Sequence, residues 1–77
     1  MSEGKGIILN VTMKAEAQIA AVFLRWLQEE HIPEMMRTGC FREYKLVKLL
    51  EVDDSEGPTY AIQYLAERME DYHRYLQ

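Results

Sequence analysis

Phe41-Arg42-Glu43-Tyr44-Lys45-Leu46-Val47-Lys48-Leu49-Leu50-Glu51-Val52 leads into the acidic loop Asp53-Asp54-Ser55-Glu56-Gly57-Pro58, and Thr59-Tyr60-Ala61-Ile62-Gln63-Tyr64-Leu65 leads out of it. Both flanking runs read as strands, and neither shows the clean apolar/polar alternation of a sheet with one wet face. In the second run one face carries Tyr60, Ile62 and Tyr64, and the other carries Thr59, Ala61, Gln63 and Leu65. Both faces are therefore expected to be at least half buried. A chain of 77 residues has helix enough to cover one of them, so a partner chain is expected over the other.

Working outward, Gly6 to Met13 reads as a first strand, with Ile7, Leu9, Val11 and Met13 on one side and Ile8, Asn10 and Thr12 on the other. The apolar set is expected to face the helices. Ala15 to Glu30 then takes helical periodicity, with Ile19, Val22, Phe23, Trp26 and Leu27 forming one broad stripe and Thr12 the only plausible N-terminal cap. His31-Ile32-Pro33 should interrupt this helix, because proline lacks the N–H and disfavours a helical residue before it. Pro33 to Arg37 reads as a second short helix closed by Gly39 in the left-handed region. Arg68 to Gln77 returns to helical spacing, with Leu65, Met69, Tyr72 and Leu76 on one stripe.

The order strand, helix, strand, strand, helix has a simple solution. A right-handed crossover from strand one to strand two leaves room for the third strand between them, and both helices fall on one face. The expected class is α+β, a ferredoxin-like βαββα(β) arrangement with an antiparallel sheet that lacks its final strand. Residues 1–5 are expected to be a flexible tail and residues 6–77 a single domain. Without a fourth strand, strand one is an open sheet edge.

Composition narrows the function classes. Nine basic residues against thirteen acidic ones leave a net charge of −4, which repels polyanions, and the basic residues do not cluster. Nucleic acid is not an expected partner. The single Cys40 forms no internal disulfide and fits no zinc spacing, so a reducing cytoplasm is the expected compartment. No signal peptide is expected, and no apolar run approaches the roughly 20 residues that cross a membrane.

Several stretches carry a resemblance: Asn10-Val11-Thr12, the segment from Trp26-Leu27 to His31-Ile32-Pro33, Thr38-Gly39-Cys40-Phe41, and above all Glu56-Gly57-Pro58-Thr59-Tyr60-Ala61-Ile62-Gln63-Tyr64. Together they resemble an uncharacterised family of small bacterial proteins, a domain of unknown function common in Bacteroidetes. Members are usually longer and end in a further strand, so this chain looks like a shortened member. Similar folds pair sheet to sheet as dimeric α+β barrels, and the resemblance implies no activity.

Among side chains that could carry chemistry, His31 lies near Trp26 and Glu30, where an imidazole can act as acid or base; the plainer reading places it at a helix C-terminus. Some monooxygenases and haem-degrading enzymes of the dimeric α+β barrel type place an Asn on the first strand and a His on a late helix, and Asn10 with His73 is similar to that pair. The haem-degrading members carry a Trp on the third strand, where this chain has Tyr60 and Tyr64. Glu51, Asp53, Asp54 and Glu56 crowd carboxylates together but lack the spacing of a calcium loop, so a solvated turn is expected. Cys40 reads as a small buried residue.

The expected function is a non-catalytic homodimeric assembly or small-ligand-binding module, joined through the sheet face or the first-strand edge, with no cofactor or metal. A cofactor-independent monooxygenase or haem-binding enzyme is the alternative. Ligand or interface contacts are expected at Asn10, Thr12, Tyr44 and Gln63, read as a buried polar set, and at Tyr64, His73, Trp26 and His31.

Overall fold

A computed structural model describes residues 6–77; the tail expected over residues 1–5 lies outside the described residues. The strands are β1 (Ile7–Lys14), β2 (Glu43–Lys48) and β3 (Thr59–Ala66). They form one antiparallel sheet in the order β1-β3-β2. The helices are α1 (Ala20–Trp26), α2 (Ile32–Arg37) and α3 (Met69–Leu76). This is the α+β arrangement expected, compatible with a small ferredoxin-like fold. The long run expected as strand two is shorter: Leu49 still donates its N–H to the Thr59 carbonyl, while Leu50 is 77% exposed.

Residues that pair across an antiparallel ladder share a face. Ile7, Leu9, Val11 and Met13 pair with Ala66, Tyr64, Ile62 and Tyr60. Tyr64 and Ile62 pair in turn with Tyr44 and Leu46. This is the side toward the helices, because Ile62, Tyr64 and Ala66 form the core with Leu27, Ile32, Cys40 and Phe41. Phe41 sits between Tyr64 and Tyr75, each ring centroid 5.2 Å away, and so ties α3 to the sheet. The same link is strengthened outside the core by Arg74, which donates to the Gly39 carbonyl at 3.0 Å.

The helical stripe read from sequence is too wide. Leu27 is sealed and Phe23 partly so, but Ile19, Val22 and Trp26 stand in solvent. In α3 it is Tyr75 that reaches the core, while Met69 and Leu76 are exposed. Thr12 caps nothing, since it lies inside β1; the helical region opens with a 3-10 turn at Ala17–Ile19 that has no side-chain cap.

The helix does not break at Pro33. A π turn at Leu27–His31 joins α1 to α2, closed by the Ile32 N–H donating to the Leu27 carbonyl. Pro33 then stands in the first turn of α2. The wider turn moves the preceding carbonyls off the position where the pyrrolidine ring would strike one, and Pro33 has no N–H to lose. Gly39 ends the segment at φ +77, as expected of a left-handed cap.

The acidic loop is wet at Asp53, Asp54, Ser55 and Glu56 but anchored at its end. Ala15 donates to the Pro58 carbonyl at 3.0 Å and Ala17 to the Glu56 carbonyl at 2.8 Å. Gly57 lies buried between these two bonds.

Candidate functional site

Backbone polarity along β1 defines the most distinctive surface. Ala15 and Ala17 donate toward the β3 side in the same register that pairs Ile7 with Ala66. Backbone groups alternate in direction along a strand, so Ile7, Leu9, Val11 and Met13 are bonded to β3. The N–H and C=O groups of Ile8, Asn10, Thr12 and Lys14 therefore point away from β3, along an edge that no other strand among the described residues pairs with. Leu49 bonded to Thr59 gives the same parity on β2, whose outward residues are Tyr44, Leu46 and Lys48. The two edges differ in charge. β2 carries Glu43, Lys45 and Lys48, the charges that discourage strand addition, whereas β1 carries only Lys14 at its end.

Beside the β1 edge a groove of about 260 Å³ runs between the sheet and α3, lined by Ile7, Ile8, Leu9, Phe41, Ala66, Met69 and Tyr72. It lies alongside β1, where a further strand of the sheet would run. Ile8, 54% exposed, and Val11, 36% exposed, are apolar side chains left in solvent on this strand.

The sheet face away from the helices carries a polar row. Asn10 pairs with Gln63, and Gln63 with Lys45. Asn10 Nδ2 donates to Thr12 Oγ1 at 3.1 Å. Ile8, Glu43, Tyr44, Lys45, Gln63 and Leu65 border a depression of about 270 Å³ that opens on this face and reaches the β2 edge at Tyr44. Asn10, Thr12 and Gln63 are thus brought together as the sequence suggests, yet they are exposed in the single chain rather than buried.

Tyr44 is the exception in that set. It faces the helix side, in register with Tyr64, and is half exposed because β2 is an edge the helices do not cover. Tyr64 is sealed in the core, and its hydroxyl has no hydrogen-bond partner. Burial pushes its phenol above the ordinary tyrosine value, and the neighbouring Tyr75 and Tyr44 add to the shift.

The structure keeps the two histidines apart from these residues. His31 stacks on Trp26, ring centroids 4.9 Å apart and 16° from parallel, and Phe23 stacks on the same indole at 5.9 Å. The contact spans five residues because the π turn separates them. His73 lies exposed on α3 beside Tyr72. Asn10 projects from the opposite side of the sheet, so the layer stands between Asn10 and His73 and they do not flank one pocket. The pattern reading missed Ile8, Lys45, Met69 and Tyr72; a polar row at matching register could have pointed to Lys45, but the groove depends on the placement of α3.

No helix among the described residues is long and apolar enough to cross a membrane. Residues 6–77 match the family described as a domain of unknown function (DUF4286), and the chain belongs to that family. No curated protein and no solved structure matches it.

Proposed function

We propose that this chain is a homodimeric assembly module without chemistry of its own, whose two copies join through the free edge of β1. The observation that carries this reading is the β1 edge, with Lys14 its single charge, outward backbone groups on alternate residues and exposed Ile8 and Val11 along it. Strand addition satisfies those groups while approaching one charged side chain, Lys14, at the end of the strand. Face-to-face packing of the open side would instead desolvate Glu43, Lys45 and Lys14. A bacterial cytoplasm suits the single buried thiol, and the fold is of the kind that dimeric α+β barrels use. The polar row Asn10, Gln63 and Lys45 remains open after edge pairing and is the natural place for a small polar ligand.

Proline separates this reading from the others. The Asn10 N–H points outward, so Asn10→Pro removes a donor from the free edge and none from the ladder with β3, the one setting in which a strand accepts proline. Sedimentation at micromolar concentration should show a dimer for the wild type and a folded monomer for Asn10→Pro, with the same far-ultraviolet circular dichroism. A wild-type monomer at that concentration would overturn the proposal. Val11→Pro, which removes a bond to β3, should unfold instead.

A further inference from the structure

We infer that the depression on the open face of the sheet binds a free α-amino acid with an aliphatic side chain, its carboxylate on Lys45, its ammonium on Glu43 and its side chain against Ile8 and Leu65. This rests on the reading of the polar row above as a ligand site, and not on how copies of the chain pair.

The register builds the site. Across the three strands Ile8, Leu65 and Glu43 stand in one row, and Asn10, Gln63 and Lys45 in the next. Neighbouring strands lie about 4.8 Å apart and residues two apart on a strand about 6.7 Å apart, so the six positions make one patch of roughly 10 Å by 7 Å. The β2 side of the patch carries both signs of charge, and the first row is aliphatic where it crosses β1 and β3. Gln63 faces Lys45 directly and Glu43 diagonally. Its amide therefore offers a donor to a bound carboxylate and an acceptor to a bound ammonium.

Charge then selects the class of ligand. Neither Glu43 nor Lys45 forms an ion pair with another side chain among the described residues. An anion alone would meet Glu43 beside Lys45, and a cation alone would meet the reverse. A phosphate ester would bring two negative charges to a site of no net charge, on a chain whose balance is −4. A molecule carrying both signs satisfies both groups at once, and the flexible stems of lysine and glutamate let their heads converge on groups held by one carbon. The volume of about 270 Å³ suits a molecule of amino-acid size. Ile8, 54% exposed, gains cover from an aliphatic side chain. Protection of the β2 edge needs charge of either sign anywhere along the strand, and does not account for two opposite charges, an amide and two aliphatic side chains around one depression.

The test is a titration of the isotope-labelled full chain with L-leucine, followed through backbone amide shifts. Saturable shifts are expected at Glu43, Lys45, Gln63 and Leu65, with a Kd of about 1 mM, as exposed ion pairs and one small apolar contact allow. Leucine amide, which lacks the carboxylate, and N-acetyl-leucine, which lacks the ammonium, should each bind about 3–5-fold more weakly. Lys45→Gln should weaken leucine by the same factor and leave leucine amide unchanged. Glu43→Gln should likewise weaken leucine and leave N-acetyl-leucine unchanged, a coupling that only direct pairing produces. Equal binding of leucine and both analogues overturns the inference, as does the lack of saturable shifts at these residues up to about 10 mM, tenfold above the expected Kd. Shifts of the same amides on dilution without ligand would put a second copy on this face and overturn it too. A chain that sediments as a monomer yet binds leucine in this pattern upholds the site and removes only the homodimer.

Discussion

Gly57→Ala should remove about 3 kcal/mol or more of folding stability, read as a large fall in the urea midpoint with little change in slope. A methyl group at this position would stand 1.9 Å from the Ala15 carbonyl oxygen and 2.7 Å from the Ala17 nitrogen. These are backbone atoms, so no side chain can turn aside. The residue also sits at φ +147, where only glycine is at ease. Relief requires moving the loop away from the start of the helical region, which breaks the bonds that flank Gly57, from Ala15 to Pro58 and from Ala17 to Glu56. A chain of this size holds roughly 4–12 kcal/mol in all, so the variant should be close to unfolding at 37 °C. Gly39→Ala is the internal comparison. It carries the same kind of strain at φ +77 but meets no atom within 4 Å, so it should cost only about 1 kcal/mol. Equal midpoints for the two variants would contradict the packing described at Gly57.

At Tyr64 the two obvious substitutions should move stability in opposite directions. Tyr64→Ala empties one of the largest sealed sites in the core, beside Phe41, and should cost about 3–5 kcal/mol. Tyr64→Phe keeps the ring and removes a hydroxyl that has lost water and found no partner, so it should stabilise by about 1 kcal/mol. The alkaline limb gives a second reading. The folded phenol titrates above its ordinary value, so its contribution is complete below about pH 10, the unfolded value, and is lost as pH climbs through the raised one. Wild type should therefore weaken above about pH 10 more than Tyr64→Phe does, the gap between their thermal midpoints widening with pH. Destabilisation by Tyr64→Phe at neutral pH would mean that the hydroxyl is bonded in the assembled protein.

Much of this architecture could be read from residue order. The crossover rule and the short polar loop after Val52 put β3 between β1 and β2, and the apolar set Ile7, Leu9, Val11 and Met13 does face the helices. The helices were less legible. Ile19, Val22 and Trp26 have core-like side chains and helical spacing, but three strands offer less surface than so broad a stripe could cover. Tyr44 illustrates the same limit from the sheet: its face could be worked out, but whether a helix reaches it could not. At the candidate site, Asn10, Thr12 and Gln63 were recognisable as polar residues on one face of strands. The outward direction of the Asn10 and Thr12 amides was not, because it depends on the backbone ladder and leaves no trace in side-chain type.

The π turn has one more effect, on helical phase. Leu27 and Ile32 are both 1% exposed, yet they are five residues apart, a separation that in an ordinary helix turns the second side chain about 140° from the first. The extra residue in the loop of backbone absorbs that angle and sets the two side chains side by side. Anything that regularised the coil here would rotate the whole downstream stretch, expel Ile32 and swing Cys40 and Phe41 off the sheet. A local irregularity thus works as the timing mark for everything that follows it.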